Sequence, residues 1–279
     1  MTIHNEPIGG LGRTGFIIAA FREMEALREE PLFSDPYAQY FLNDDMRAAA
    51  LKIAEEVPAS QGMVRFRTLY IDRMLQEHLE RGFQQVLILG SGLDSRSIRF
   101  KQDGVKFYEV DQKTVIKFKK ERLAQAGIPF DSICAGMNYF EGNAAEALIK
   151  MGFNPTLKTF VIWEGNTPYS TAEQNKSVLA HLNKTITGEV KVTFDYITPA
   201  VVTRTTGVHQ LTRAAEIFEQ NGSKWITGYH NAHELIAELP RYKVFGDQAT
   251  SRLDPASLAP EEKEAMDHYY VGTAGCLSQ

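Results

Sequence analysis

Cysteine is scarce in this chain: only Cys134 and Cys276 occur among 279 residues. They have no metal-ligand spacing, so no metal centre is expected, and so few thiols fit a reducing cytoplasm. Long apolar runs are missing too, which argues against a membrane span, and the first residues lack a signal-peptide pattern. Positive charge is not in excess. The net charge of -5 argues against a nucleic-acid partner held through phosphates. Repeats and low-complexity tracts are absent. What is there, 43% hydrophobic and 23% charged residues, is the composition of a globular enzyme. The length suits one large α/β domain with an added lobe, or two small domains.

The stretch from Gln85 to Asp111 organises the rest. It opens with the apolar run Val86-Leu87-Ile88-Leu89, the length of one buried strand. The turn Gly90-Ser91-Gly92 follows, then a short amphipathic segment from Leu93 to Phe100. A second apolar strand, Val105 to Val110, carries Glu109 and ends at Asp111. Strand, glycine turn, helix and acid-tipped strand form half of a nucleotide-binding crossover. The glycines let the backbone approach a ligand, and an acid about twenty residues on can accept both ribose hydroxyls. A dinucleotide fingerprint wants a third small residue where Ser95 stands, and a helix end free for pyrophosphate. Asp94 occupies that helix start, which suits a cap or a cationic ligand. S-adenosylmethionine meets these terms: an adenosine without phosphates, a sulfonium and an amino acid. NAD, and a turn that serves structure alone with Asp94 as a plain cap, are the competing readings.

Before this stretch, residues 1 to 12 read as a mobile lead-in. Helical patterns follow at Thr14–Glu30, Ala38–Leu42, Met46–Val57 and Met63–Leu79. The last leads straight into the first strand, so one arginine of Arg65, Arg67 and Arg73 can face the strand's carboxyl end and clamp a carboxylate. After it come a basic helix, Lys113–Ala126, whose lysines read as a solvated face, and a third strand, Ile133–Ala135. A helix from Ala144 to Met151, a fourth strand, Thr159–Trp163, and a fifth, Glu189–Ile197, complete the alternation. Ser170 is expected to cap the helix that runs through Leu182, with Glu173 completing a capping box. Pro199 to Gln210 reads as irregular. The tail reads as helices at Leu211–Gln220, His233–Leu239 and Ala259–Tyr270, with a strand near Tyr242–Phe245. Alternating strands and helices predict a doubly wound, mostly parallel sheet. Residues 1–80 form a helical cap over its ligand-bearing edge. Residues 81–279 form the Rossmann-like body with a carboxyl-terminal extension, the two making one structural unit.

Four stretches together resemble the leucine carboxyl methyltransferase family and its bacterial branch of small O-methyltransferases. They are LFSDPYA at 32–38, RTLYID at 67–72, LILGSGLDSR at 87–96 with YEVDQ at 108–112, and WEGNTPYST at 163–171. The resemblance implies an S-adenosylmethionine-dependent methyltransferase fold with an amino-terminal helical cap, and S-adenosylhomocysteine as product. It implies that Arg67 binds the methionine carboxylate, with Arg22 as a second basic ligand-facing residue. Gly90, Ser91 and Gly92 would line the methionine and ribose, with Asp94 at the end of the turn. Asp111 would take the ribose hydroxyls, Glu109 being its neighbour or substitute, and Glu164 would face the amino group. One departure stands out. Where the family has an acidic-leucine pair for the adenine, this chain has Gly136-Met137, with Asn138 next.

Methyl transfer needs alignment and removal of water rather than a metal or a covalent intermediate. A carboxylate acceptor is already ionised, whereas a hydroxyl needs a base. Tyr139, Tyr169, Tyr196, Arg204 and His209 lie in segments that can reach the methyl group, with His209 as the base for a hydroxyl. A loop histidine and a solvated arginine are the plain alternatives. The expected acceptor is a small molecule, by carboxylate or hydroxyl oxygen. A protein carboxyl terminus, an NAD-dependent oxidoreductase and a non-catalytic nucleotide-binding protein are the rival functions. Asp111→Ala and Arg67→Ala should each weaken S-adenosylmethionine binding at least tenfold, about 1.4 kcal/mol, through loss of a charged hydrogen bond in a desolvated site. Wild-type affinity in both variants, measured by titration calorimetry, would contradict these placements.

Overall fold

The computed structural model describes residues 12–142 and 144–277. The lead-in expected at residues 1–12 therefore lies, except for Gly12, outside the described residues. Three helices come first: α1 (Gly12–Ala26), α2 (Asp44–Glu56) and α3 (Pro58–Glu80). Asn43 starts α2 by accepting the amide of Met46 at 2.9 Å. Pro58, where the preceding helix was expected to stop, is the first residue of α3, a position that has no amide to satisfy.

The body then alternates as expected. Strand β1 (Gln85–Leu89) leads to the four-residue helix α4 (Arg96–Arg99), then β2 (Lys106–Asp111) and α5 (Lys113–Gln125). Next come β3 (Ile133–Gly136), α6 (Ala144–Ile149), β4 (Thr159–Trp163), α7 (Ala172–Thr185) and β5 (Val190–Ile197). These five strands are parallel. The tail adds α8 (Pro199–Val202), α9 (His209–Gln220), α10 (Ala232–Ile236), β6 (Lys243–Ala249), α11 (Pro260–Met266) and β7 (Tyr269–Cys276). The sheet order is β3-β2-β1-β4-β5-β7-β6, with β7 antiparallel to both neighbours. The α/β Rossmann-like architecture with an amino-terminal helical layer is thus the observed one.

The central strands β1, β4 and β5 are buried along their whole length, as a sheet covered by helices on both faces requires, while β3 at the edge is only half-buried. On one face Leu87, Leu89, Val161 and Trp163 pack with Leu148 of α6 and Leu179 and Leu182 of α7. On the other, Val86, Ile88, Phe160 and Ile162 pack with Ile71, Leu75 and Leu79 of α3. The earlier half of α3 holds the cap: Val64 joins Phe16, Phe21, Phe41 and Met46, and Phe66 meets Phe218 and Met266. Helix α3 therefore ties cap, sheet and tail together. No helix among the described residues is long and apolar enough to cross a membrane.

Three local expectations are corrected. Thr171, not Ser170, caps α7 and forms the capping box with Gln174. The Ser170 hydroxyl is instead buried against the Asn175 side chain at 2.5 Å. The helix expected to run to Tyr270 stops at Met266, and residues 269–276 form β7, which takes up the open edge of β5. The lysines of α5 are not all solvated. Lys119 is fully buried and pairs with Glu109 of β2 at 2.6 Å, while Ser97 donates to the other carboxylate oxygen at 2.7 Å. Removing one partner leaves a charge in the core, so Glu109→Ala should cost about 3–5 kcal/mol of unfolding free energy. Glu109→Leu combined with Lys119→Met should recover most of that loss in urea denaturation. A double variant no better than the single one would contradict the account.

Candidate functional site

A cavity of about 470 Å³ opens at the carboxyl ends of β1, β2 and β4, beside α1. The sheet order places β1 between β2 and β4, so the chain leaves β1 to one side and returns on the other. That switch point is where α/β sheets hold ligands.

Its floor is the turn Gly90-Ser91-Gly92, in which both glycines have positive φ, 62° and 47°. A Cβ on Gly90 would meet the Asn166 side chain at 2.4 Å, so the turn and the loop after β4 pack backbone to side chain. Asp111 fixes the turn from the next strand by accepting the Gly92 amide at 2.6 Å and its neighbour Gln112 at 2.6 Å. Burial nevertheless raises the Asp111 pKa above the ordinary value, against the pull of those amides. The Ser91 hydroxyl lines the cavity, buried and without a hydrogen-bond partner among the described residues.

The opposite wall is electrostatic. Arg67 of α3 donates through Nε to Glu164 at 2.8 Å and through Nη1 to Asp195 at 3.0 Å and to the Tyr269 hydroxyl at 2.5 Å. Arg96 pairs with the second oxygen of Glu164 at 2.5 Å, with Asp94 at 2.6 Å and with Asp72 at 2.6 Å. Asp72 also holds Arg99 at 2.6 Å. Burial works against the Glu164 carboxylate, but the Arg96 and Arg67 guanidiniums outweigh it and hold its pKa below the usual range. For Asp94 burial is likewise opposed, by Arg96 and Arg22, and the carboxyl is held well below its ordinary value. Asp94 also accepts the Arg96 amide at 2.7 Å, so the start of α4 is already occupied by a carboxylate. Arg22 reaches from α1 to the Leu93 carbonyl at 2.6 Å and pairs with Asp35 at 2.9 Å. Asp35 in turn accepts the Ser95 hydroxyl at 2.6 Å, which clips the cap to the turn.

Arg22, Arg67, Gly90, Ser91, Gly92, Asp94, Asp111, Met137, Asn138, Glu164 and Tyr169 all line this cavity. Four other expected site residues do not. Glu109 points under α5 into its pair with Lys119 and is fully buried. Tyr196 lies on the opposite face of β5 from Asp195, its hydroxyl given to Asp247 at 2.6 Å and its ring stacked on Tyr270. Arg204 is an exposed residue with φ 58° that pairs with Glu219. His209 is the exposed first residue of α9. These four positions are corrected: each is held by a partner or by solvent away from the cavity.

At the end of β3 the departure from the family has a packing cause. A Cβ on Gly136 would meet Lys113 Cγ at 2.6 Å, so the lysine stem fills the space of a side chain there. The Asn138 side-chain oxygen accepts the Phe140 amide at 3.2 Å. Tyr139 donates to Asn166 at 2.9 Å and accepts from Trp163 at 3.1 Å, and burial raises its pKa far above the phenol value. Arg96, Asp195, Asn166 and Tyr269 were not among the expected site residues. Asp195 had a signal: it is the one carboxylate inside β5, a strand buried at every position.

Residues 15–183, more than half of the chain, match the family model described as leucine carboxyl methyltransferase. A Saccharopolyspora erythraea protein, provisionally named an S-adenosyl-L-methionine-dependent methyltransferase, is 29% identical over 184 residues, 62% of this chain and 63% of that protein. A Mycobacteroides abscessus protein with the same provisional name is 31% identical over 187 residues, 62% of each chain. The chain spans under two thirds of the length of these relatives. Among solved structures, a provisionally named methyltransferase from Thermobifida fusca YX superposes with a TM-score of 0.65 at 15% identity, covering 99% of this chain and 97% of that one. A DUF574 family protein from Streptomyces avermitilis gives 0.64 at 11% identity, covering 94% and 97%. The likeness to these two is one of fold.

The buried ion pairs set a pH dependence. Asp94 and Glu164 have folded pKa values below their unfolded ones. The stability they contribute is present above the ordinary carboxylate range and is lost as pH falls through the folded values. Arg96→Met should therefore lower unfolding free energy by about 3 kcal/mol or more near pH 7. The gap to wild type should narrow as pH drops below about 4, read by chemical denaturation across pH. A gap that does not change with pH would contradict this.

Proposed function

The chain belongs to the leucine carboxyl methyltransferase family, and we propose that it binds S-adenosylmethionine and methylates a carboxylate oxygen of a small organic acid. The observation that carries the reading is the charge layout of the cavity: Arg67 and Glu164 at one end, the acid-fixed turn of Gly92 and Asp111 at the other. The donor set fits the ligand. Arg67 Nη2 makes no hydrogen bond among the described residues and, with the orphan Ser91 hydroxyl, offers donors to an amino-acid carboxylate. Each Glu164 oxygen accepts one arginine and keeps capacity for an ammonium. Asp111 keeps capacity for two ribose hydroxyls in the same way. A pyrophosphate would instead face Asp94 and a four-residue helix whose first amide is already bonded, which disfavours NAD.

When bound, S-adenosylmethionine supplies a methyl carbon activated by its sulfonium. The protein's part is to align the acceptor oxygen with that carbon and to exclude water. A hydroxyl acceptor would need a base poised near neutrality. Among the described residues that line the cavity there is no histidine or lysine. Burial pushes the Tyr169 phenol up to about 12, so it serves as a donor to the acceptor rather than as a base. This favours an acceptor that arrives ionised.

Incubation with methyl-labelled S-adenosylmethionine and a panel of carboxylic acids and phenols tests the reading. The expected product releases labelled methanol in alkali, as a methyl ester does. An alkali-stable methyl ether, or no transfer to any acid, would overturn the carboxylate assignment.

A further inference from the structure

Asp195 is fully buried near the carboxyl end of β5, where it is the one carboxylate of the strand, and both of its oxygens accept hydrogen bonds. Oδ1 accepts the Gly165 amide at 2.6 Å. Oδ2 accepts Arg67 Nη1 at 3.0 Å and the Tyr269 hydroxyl. Tyr269 in turn accepts from the same Nη1 at 2.5 Å, so guanidinium, phenol and carboxylate close a ring. The Tyr269 pKa is raised well above the phenol range, by burial first, so its proton stays in place to be donated to Asp195. Neither residue lines the cavity.

The arrangement has a directional consequence. Glu164 alone would hold Arg67 at Nε, leaving the guanidinium free to swing about that bond. The second grip at Nη1 fixes the plane of the group and leaves Nη2 as the edge with no hydrogen-bond partner among the described residues. The same carboxylate holds the amide of Gly165, the residue after Glu164. One buried acid therefore sets both the cation and the anion of the wall. A carboxylate is needed because three donors converge on it: an asparagine has one acceptor oxygen and would turn its own amide hydrogens toward a donor.

We propose that Asp195, with Tyr269 from the antiparallel strand β7, is the positioning residue for the amino-acid end of S-adenosylmethionine. The proposal rests on the reading that Arg67 takes the methionine carboxylate. Its effect is confined to that end: binding energy from the amino acid depends on Asp195, and binding energy from the nucleoside does not.

Titration of wild type, Asp195→Asn and Tyr269→Phe with two ligands separates these terms. S-adenosylhomocysteine carries the amino acid, and methylthioadenosine carries the nucleoside and sulfur without it. Asp195→Asn should weaken S-adenosylhomocysteine at least tenfold and leave methylthioadenosine within about twofold, the tenfold step being about 1.4 kcal/mol. Tyr269→Phe, which keeps the direct contact between Asp195 and Arg67, should shift the same ratio by a smaller factor, and it serves alone if the first variant does not fold. Equal losses for both ligands, or an unchanged ratio in Tyr269→Phe and Asp195→Asn, would overturn the proposal. Wild-type protein that binds neither ligand, or both equally, overturns the Arg67 reading itself, and the Asp195 assignment falls with it.

Discussion

Everything at the mouth of this sheet depends on buried guanidiniums that need partners. Arg67, Arg96 and Arg99 are all shielded from water, and a lone buried cation is costly enough to dictate its surroundings. The result is a chain of ion pairs in which carboxylates from different elements alternate with arginines. Asp195 of β5 meets Arg67 of α3, which meets Glu164 after β4, which meets Arg96 of α4. Arg96 continues to Asp94 and to Asp72, which returns to α3 and holds Arg99. Apart from Asp94 and Arg96, two residues apart in the chain, every adjacent pair of links joins segments distant in sequence. Satisfying the charges therefore fixes the relative positions of cap, strand ends and glycine turn.

Helix α3 is the element that makes this closure possible. One end of it packs under the cap and the tail, the other lies flat on the sheet. Arg67 and Asp72, a turn and a half apart, are thereby delivered to the strand ends from above. Strand β7 contributes from the far side. It fills the gap between β5 and β6 and brings Tyr269 opposite Ile197, close enough for its hydroxyl to meet Arg67 and Asp195. The antiparallel addition to an otherwise parallel sheet is thus connected to the ligand wall rather than being a decoration of the edge.

Much of this was readable in the chain. The run Val86 to Leu89, the two glycines and the acid at Asp111 form one local pattern, and the structure has the strand, the tight glycine turn and an acid ending the next strand there. Arg67 was legible only through the family resemblance, because the spacing of the helix before the first strand leaves Arg65, Arg67 and Arg73 equally open. Arg96 was not, because an arginine after Asp94-Ser95 looks like any surface residue, and its burial arises only when Asp72 and Glu164 converge on it. Lys119 was hidden among exposed lysines, although its spacing with Val115 and Leu123 marks the inward face of α5. Strand β7 was hidden by its composition: Tyr-Tyr-Val-Gly-Thr-Ala-Gly-Cys is rich in small residues and follows a charged helix. What makes it a strand is the open edge of β5, which no local pattern describes. His209 and Arg204 failed for the opposite reason. Their chemistry was apt, but Arg204 pairs with Glu219 of α9 and His209 is the exposed first residue of that helix.

We propose that the cavity above β1 and β4 takes an adenosine with a charged amino acid and without phosphates. Calorimetric titration of the purified protein with S-adenosylmethionine, S-adenosylhomocysteine and NAD tests that claim most directly. The first two should bind saturably and NAD should not bind. Binding of NAD, or no binding of S-adenosylmethionine and its product at millimolar concentration, would contradict it.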